Sequence, residues 1–441
     1  IILVVAFALL SLWSTQVFAS TSNLSSSESS PCIRYDGVNR VISITCKTST
    51  LTDIYNQIND TSILDKETTG GVWVLNAGII IEPNAKLVID KGDTRWLKIL
   101  AGGTGSENAG DGGNSDDDTT DDGGEEAGSV HAIRVHGSMN IDSVKITSWN
   151  PAVNGYIRFE SDILPGREYE HTGIDAIPRP YIRVEDDATG TTNITNSEIA
   201  YLGYECGGGC SGISYYGVNG DDIDNGDDGD IVASGTGTPQ QGTSIIKGNH
   251  IHHNRFGFYS VGIGNMVIED NHVHHNFMYG FDPHTGTHDM IIRNNTVHDH
   301  GAMGIICSLD CHNIVIENNK VSNSVGSGIM FSRNMINSIA RNNYVHNEEQ
   351  CIFVSQSHNN KVYNNTVSNC GNGIYLKHDS SNNSVFNNTI QNVNGSAILI
   401  NDGATDNSVY SNTIVNPSSE EEAINNEDQD NNTFEDNNIV Q

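Results

Sequence analysis

Residues 294–306 read Asn-Asn-Thr-Val-His-Asp-His-Gly-Ala-Met-Gly-Ile-Ile, and variants of this phrase recur along the second half of the chain. Each begins with Asn, any residue, and Val or Ile; turn residues follow, and most copies then have Gly-Ile or Gly-Phe. The leading residue of each copy is Asn249, Asn271, Asn295, Asn319, Asn343, Asn365, Asn388 or Asn412, with spacings of 22 to 24 residues. Such a regular period indicates a solenoid.

The repeat is too short for a helical repeat unit, which needs about 33 residues or more. Its apolar stretches are rich in Val and Ile, so each coil is predicted to contain short parallel strands joined by turns, stacked about 4.8 Å apart. Pairs such as Asn318-Asn319 suit the turns, because Asn tolerates the left-handed conformation and its amide can bond the next Asn in the stack. The predicted class is an all-β parallel solenoid.

The 441 residues divide into three predicted segments. Residues 1–19 have the apolar core and small-residue end of a signal peptide, truncated at its start because no Met or basic region precedes it; a membrane anchor is the alternative. Residues 20–68 form a Ser-rich N-terminal segment. Residues 69–441 form the parallel β-helix, with strands in 71–100 covering its open end as an N-terminal cap. We expect a monomer without a transmembrane helix in the mature chain.

The formal net charge of −33 is concentrated in a few stretches. Acidic insertions near 107–126 and 217–242 are predicted to be solvated loops, with weak Ca²⁺ binding as the alternative; no other cofactor is expected. So acidic a surface argues against nucleic acid as a partner.

The eight cysteines fall into near pairs, which in an exported protein suggests disulfides. Half of a zinc site is the alternative for the short spacings, although no second pair lies at a matching distance. The pairs are Cys32 with Cys46, Cys206 with Cys210, Cys307 with Cys311, and Cys351 with Cys370.

One coil is anomalous, because an ionisable cluster replaces its plain apolar strand: residues 279–284 read Tyr-Gly-Phe-Asp-Pro-His. Together with the stretches 198–204, 212–215, 252–259 and 327–334, this hexapeptide resembles the mannuronan C5-epimerases over roughly residues 70–400. Those enzymes are right-handed parallel β-helices that invert C5 of uronic acid residues in alginate. The resemblance therefore implies a right-handed β-helix with an acidic polysaccharide as its partner.

The reaction needs a base, an acid, and a cation that neutralises the substrate carboxylate. The resemblance implies that His284 is the base or its partner, that Tyr279 is a catalytic Tyr, and that Asp282 orients His284 or bonds the sugar. Two positions depart from the family, which has Asp where Thr285 stands and Arg where Leu309 stands. The candidates for the cation and for other substrate contacts are Arg333, Arg255, Lys247, Tyr259 and Ser308.

The sequence thus predicts an exported enzyme, secreted, periplasmic or on the cell surface, that acts as a C5-epimerase or a mechanistically related lyase on uronic acid residues. One alternative is a non-catalytic cell-surface protein that binds glycan along its coils. Another is a periplasmic copper-handling β-helix, in which stacked histidines capture copper or zinc. Otherwise these histidines are expected in solvated turns: His252, His253, His274, His275, His298 and His300.

Overall fold

The computed structural model describes residues 31–67, 70–102, 130–159, 178–206, 209–217, 242–417, 419–427 and 431–440. The predicted signal peptide and nearly all of both acidic insertions lie outside these residues. The described chain forms three long sheets and two short helices, α1 (Leu51–Ile58) and α2 (Glu420–Ala423). Neither helix has the length and apolar composition needed to cross a membrane.

Successive coils contribute one strand to each sheet. The first sheet contains, in spatial order, β1 (Ile33–Asp36), β2 (Val41–Ile44), β5 (Gly78–Ile81), β8 (Ala132–Val135), β11 (Tyr181–Val184), β14 (Ile213–Tyr216), β17 (Phe258–Val261), β20 (Phe281–His284), β23 (Ile305–Ser308), β26 (Ser327–Ser332), β29 (Gln350–Ser355), β32 (Asn372–Lys377), β35 (Ile398–Ile400) and β38 (Ile424–Asn426).

The second sheet follows the same order along the axis. It contains β3 (Leu64–Lys66), β4 (Val72–Leu75), β7 (Trp96–Leu100), β10 (Lys145–Trp149), β13 (Glu198–Ala200), β16 (His250–His252), β19 (His272–His274), β22 (Thr296–His298), β25 (Lys320–Ser322), β28 (Tyr344–His346), β31 (Thr366–Ser368), β34 (Thr389–Gln391), β37 (Thr413–Val415) and β40 (Asn438–Val440).

The third sheet completes each coil. Its strands are β6 (Lys86–Asp90), β9 (Ser138–Asp142), β12 (Thr192–Thr195), β15 (Ile245–Lys247), β18 (Val267–Glu269), β21 (Ile291–Arg293), β24 (Val315–Glu317), β27 (Ile339–Arg341), β30 (Lys361–Tyr363), β33 (Ser384–Phe386), β36 (Ser408–Tyr410) and β39 (Thr433–Glu435). Apart from the hairpins β1–β2 and β3–β4, the paired strands of all three sheets are parallel, which confirms the predicted parallel β-helix.

Side chains alternate between the interior and the surface along most strands, as the pleat of a sheet requires. In the second sheet, Ile251, Val273 and Val297 pair in register and are fully buried, whereas their strand neighbours face outward. The core is therefore a column of stacked aliphatic side chains that runs along the axis.

Ladders of Asn amides hold the coils together. Oδ1 of Asn319 accepts hydrogen bonds from the backbone N–H of Asn295 (2.9 Å) and from its Nδ2 (3.0 Å), while Nδ2 of Asn319 donates to the carbonyl of Ile292 (3.0 Å). The preceding Asn318 is left-handed, with φ of 56°. The same pattern repeats from Asn249 to Asn412. The predicted amide stack and left-handed turn are confirmed.

The cap at the N-terminal end is formed earlier in the chain than predicted. The antiparallel hairpin β1–β2 joins the first sheet, because Val41 pairs in parallel with Gly78 of β5. Helix α1 begins with a capping box between Thr50 and Asp53 and buries Leu51 and Ile54 in the core. Residues 32–66, which belong to the predicted N-terminal segment, are therefore a continuous part of the β-helix.

Three of the four cysteine pairs are bonded, Cys32–Cys46, Cys206–Cys210 and Cys351–Cys370. The predicted pairing of Cys307 with Cys311 is wrong, since both are buried free thiols. Cys307 is an inward residue of β23 in register with Phe331, and Sγ of Cys311 lies 3.3 Å from the carbonyl of Ser308. Both behave as small core side chains.

Candidate active site

The last four residues of the anomalous hexapeptide form strand β20 of the first sheet. Pro283 points inward, so Asp282 and His284 project from the same outer surface. Register places Asp282 beside Tyr259 of β17, and His284 beside Ser308 of β23. Residues that are 20 to 50 positions apart in the sequence thereby meet on one surface.

His284 is held from both sides of its ring. Its Nδ1 lies 2.6 Å from Oγ1 of Thr285, and its Nε2 lies 3.5 Å from Nη2 of Arg333. Because a guanidinium has only donors, this contact favours a lone pair on Nε2 and the proton on Nδ1, which then donates to Thr285. Burial, aided by the charge of Arg333, lowers the pKa of His284 to about 4. The imidazole is therefore neutral near pH 7, with the lone pair of Nε2 facing Arg333.

Asp282 is buried and incompletely satisfied. It is 2% exposed, and within the described residues its Oδ1 has no hydrogen-bond partner. Burial raises the pKa of Asp282 well above its usual range, although the charges of Arg333 and Arg255 oppose this. A carboxyl group kept protonated in this way can donate a hydrogen bond to a bound oxyanion.

Arg333 reaches back over one coil to His284. It follows β26 in the left-handed conformation, with φ of 51°, and its Nη2 donates to Oγ of Ser308 (3.0 Å). It thus brings a positive charge to the coil that contains Ser308 and Leu309. Oγ1 of Thr285 lies within hydrogen-bond distance of Nδ1 of His284. The sequence singles out Thr285 and Leu309, but it does not predict the contacts of Thr285 and Arg333 with His284.

The two candidate tyrosines are placed differently. The ring of Tyr259 lies 5.7 Å from the ring of His284, and burial raises its pKa well above the usual value, so the phenol remains protonated. The ring of Tyr279 packs 4.9 Å from Phe256, which in turn lies 5.7 Å from Tyr259. Tyr259, predicted only as a substrate contact, therefore lies beside His284.

The remaining predicted cations differ in position. Arg255 is 5% exposed, forms an ion pair with Glu205 and lies over the ring of Phe256 at 4.6 Å. Lys247 does not join the cluster, because it ends β15 of the third sheet and pairs with Glu269 at 2.7 Å. The predicted placement of Lys247 in this site is therefore wrong. Its position in the sequence identified the neighbouring coil but not the sheet on which it lies.

Comparison with known proteins supports the architecture. Residues 285–439 match the family described as right handed beta helix region, and residues 191–343 match the periplasmic copper-binding protein (NosD) family. No curated protein matches the sequence. The fold is a right-handed parallel β-helix.

Two solved structures resemble this β-helix over most of its length. The periplasmic alginate epimerase AlgG has a TM-score of 0.71 at 20% sequence identity, covering 91% of this chain and 85% of that chain. The A-module of mannuronan C-5 epimerase AlgE6 from Azotobacter vinelandii has a TM-score of 0.54 at 15% identity, covering 84% and 89%. At these identities the similarity establishes the fold, and activity must be argued from the site.

Most of the six histidines that were predicted in solvated turns lie in strands or are buried. His252, His274 and His298 end strands of the second sheet, and His300 is only 1% exposed. His253 and His275 occupy left-handed turn positions as expected, but they stack on one another at 5.4 Å. Because the strands continue further than the apolar pattern indicated, the side chains form columns along the β-helix.

Proposed function

We propose that the protein is an exported enzyme that acts on uronic acid residues of an acidic polysaccharide, as a C5-epimerase or a mechanistically related lyase. The observation that carries this proposal is the neutral imidazole of His284 next to the guanidinium of Arg333, with the buried Asp282 and the phenol of Tyr259 on the same surface. These groups supply the base, cation and acid that the chemistry requires.

In the proposed reaction, Arg333 binds the substrate carboxylate and the protonated Asp282 donates a hydrogen bond to it. Nε2 of His284 takes the proton from C5, and the electrons of the C–H bond move into the carboxylate to give an enediolate stabilised by both groups. The O–H of Tyr259 then returns a proton to the opposite face of C5. Exchange with solvent returns the imidazolium and the phenolate to their starting states.

The lyase alternative has the same first step. The enediolate electrons instead form a C4–C5 double bond while the C4–O bond breaks, and the phenol of Tyr259 protonates the departing oxygen. Epimerase and lyase therefore differ in whether carbon or oxygen receives the second proton.

A polar and aromatic surface continues from the site along the axis and supports an extended substrate. The column that begins at His284 continues through Ser308, Ser332 and Ser355 to Lys377. The adjacent column presents Phe353 and Tyr375, whose rings stack at 5.1 Å. Hydroxyl groups, aromatic faces and a terminal cation suit an acidic sugar chain laid across successive coils.

Export is supported by the three disulfides, since such bonds persist in oxidising compartments. The alternative of a non-catalytic glycan-binding protein would use the same surface without turnover.

Incubation with polymannuronate in heavy water tests the proposal. We expect deuterium at C5 of inverted residues, or unsaturated chain ends from a lyase, and neither from the His284→Ala variant. Polymer that binds but remains unlabelled and uncleaved would support the glycan-binding alternative instead.

A further inference from the structure

The second sheet carries a dense cluster of imidazoles, separate from the face that holds His284. Its strands β16, β19 and β22 place histidines in two adjacent outward columns, with His250 beside His272 in one column and His252, His274 and His298 in the other. Parallel rings stack along each column at 5.1 to 5.2 Å.

Nitrogens of neighbouring columns also meet diagonally. Nε2 of His250 lies 2.6 Å from Nε2 of His274, and Nε2 of His272 lies 2.7 Å from Nε2 of His298. One ring nitrogen from each of His250, His272 and His274 lies within 4.8 Å of the others. Three convergent imidazole nitrogens are a donor set that first-row transition metals favour.

The dimensions require only a small adjustment. In a tetrahedral site with Zn–N bonds of 2.0–2.1 Å, ligand nitrogens lie roughly 3.3 Å apart. The 2.6 Å separation between Nε2 of His250 and Nε2 of His274 is shorter than this value, and no separation in the triad exceeds 4.8 Å. Side-chain rotations that move each nitrogen by about 1 Å or less would therefore bring all three to a common ion.

We propose that His250, His272 and His274 bind one first-row transition-metal ion of the Cu(II) or Zn(II) type, bridging the coils that contain β16 and β19. The ion would connect two successive strands of the second sheet and so stabilise the stack of coils. The site uses no residue of the candidate active site, so it is independent of the function proposed above.

Titration of the untagged, metal-free protein with Cu(II) and with Zn(II) by calorimetry tests this site, with EPR used to count nitrogen ligands of the bound Cu(II). We expect one tight equivalent with three nitrogen ligands and a rise in the unfolding temperature. His272→Ala should weaken binding at least tenfold. Its side chain is exposed, so loss of the fold is not expected, and circular dichroism checks this.

A matched control is available on another part of the coil. His288 and His312 also stack, at 5.0 Å, but lie outside the triad. His312→Ala should retain the affinity of the wild type. The proposal would be overturned by wild-type binding weaker than about 1 mM, or by equal losses of affinity in His272→Ala and His312→Ala.

Discussion

Nη2 of Arg333 lies 3.5 Å from Nε2 of His284 and donates to Oγ of Ser308 at 3.0 Å, although Arg333 and His284 are 49 residues apart. The guanidinium therefore lies over the intermediate coil, which contains Ser308 and Leu309. A charge supplied from the following coil can reach the same place because adjacent coils are separated by only about 4.8 Å.

The Arg333→Ala variant tests this arrangement. If Arg333 neutralises the substrate carboxylate, its loss should raise KM and lower kcat together, because the charge is met in the ground state and more strongly in the enediolate. Removing the positive charge should also raise the pKa of His284, so the acidic limb of the kcat/KM profile should move to higher pH. Arg333→Lys should restore part of both effects. An unchanged profile in Arg333→Ala would contradict the assignment.

Two conservative variants distinguish the tyrosines. We expect Tyr259→Phe to lower kcat by about 10²–10⁴-fold, the usual contribution of general acid–base catalysis, because its ring lies beside His284. Tyr279→Phe, which changes a ring packed against Phe256, should have a smaller effect. Measurement of kcat for both, with circular dichroism as the control for folding, decides between them. The reverse order would return the catalytic role to Tyr279, as the sequence resemblance implies.

The fold could be predicted from sequence because its cause is local and periodic. Each coil repeats one buried Asn, one left-handed residue before it, and a Val or Ile two positions after it, as in Asn318, Asn319 and Val321. A spacing of 22 to 24 residues then fixes the stacking of coils. The hexapeptide likewise predicted that Asp282 and His284 lie on one surface. They do so because they are two positions apart in a strand, with Pro283 between them facing inward.

The sheet on which a polar residue lies could not be predicted as well. A coil has three sheets, and turns of varying length separate them, so a residue one coil away can face a different direction. Lys247 is such a case, since it follows the sequence period but lies on the third sheet. The Cys307–Cys311 pair failed for a related reason, because sequence spacing does not reveal that both thiols face the core.

The Asn ladder predicts a large local loss of stability in Asn319→Ala. The variant leaves the N–H of Asn295 and the carbonyl of Ile292 buried without their present partners, which should lower the free energy of unfolding by about 2–4 kcal/mol. Asn318→Gly is the matched control, since glycine adopts its left-handed conformation without strain and the ladder remains. Chemical denaturation measures both. Equal losses would mean that the turn, and not the ladder, is the stabilising element.

Thiol counting tests the disulfide assignment. In the native protein Cys307 and Cys311 are buried and should resist alkylation, whereas denaturation without reductant should expose two thiols at these positions. After reduction, all eight cysteines of the chain should react. Peptide mass spectrometry identifies the labelled sites. Failure to label Cys307 and Cys311 after denaturation would indicate a fourth bond and restore the prediction made from their spacing.

Acid should destabilise the protein in a defined window because several histidines are buried in the neutral form. Burial lowers the pKa of His300 to about 3 and that of His284 to about 4, from a usual value near 6.5. Between these folded values and 6.5 the unfolded form of each of these histidines binds more protons, so their contribution to the free energy of unfolding rises with pH. The contribution is complete above pH 6.5 and is lost progressively as the pH falls toward 4.

Each such histidine changes the unfolding equilibrium by up to about tenfold per pH unit within this window. Denaturant unfolding at pH 4.5, 5.5, 6.5 and 7.5 should therefore give a steep fall in stability below pH 6.5 and little change above it from these groups. His300→Asn, which keeps an amide in the buried position, should flatten the slope, whereas substitution of His275, whose side chain is 43% exposed, should change it less. A slope unaffected by His300→Asn would show that the acid sensitivity arises from other groups.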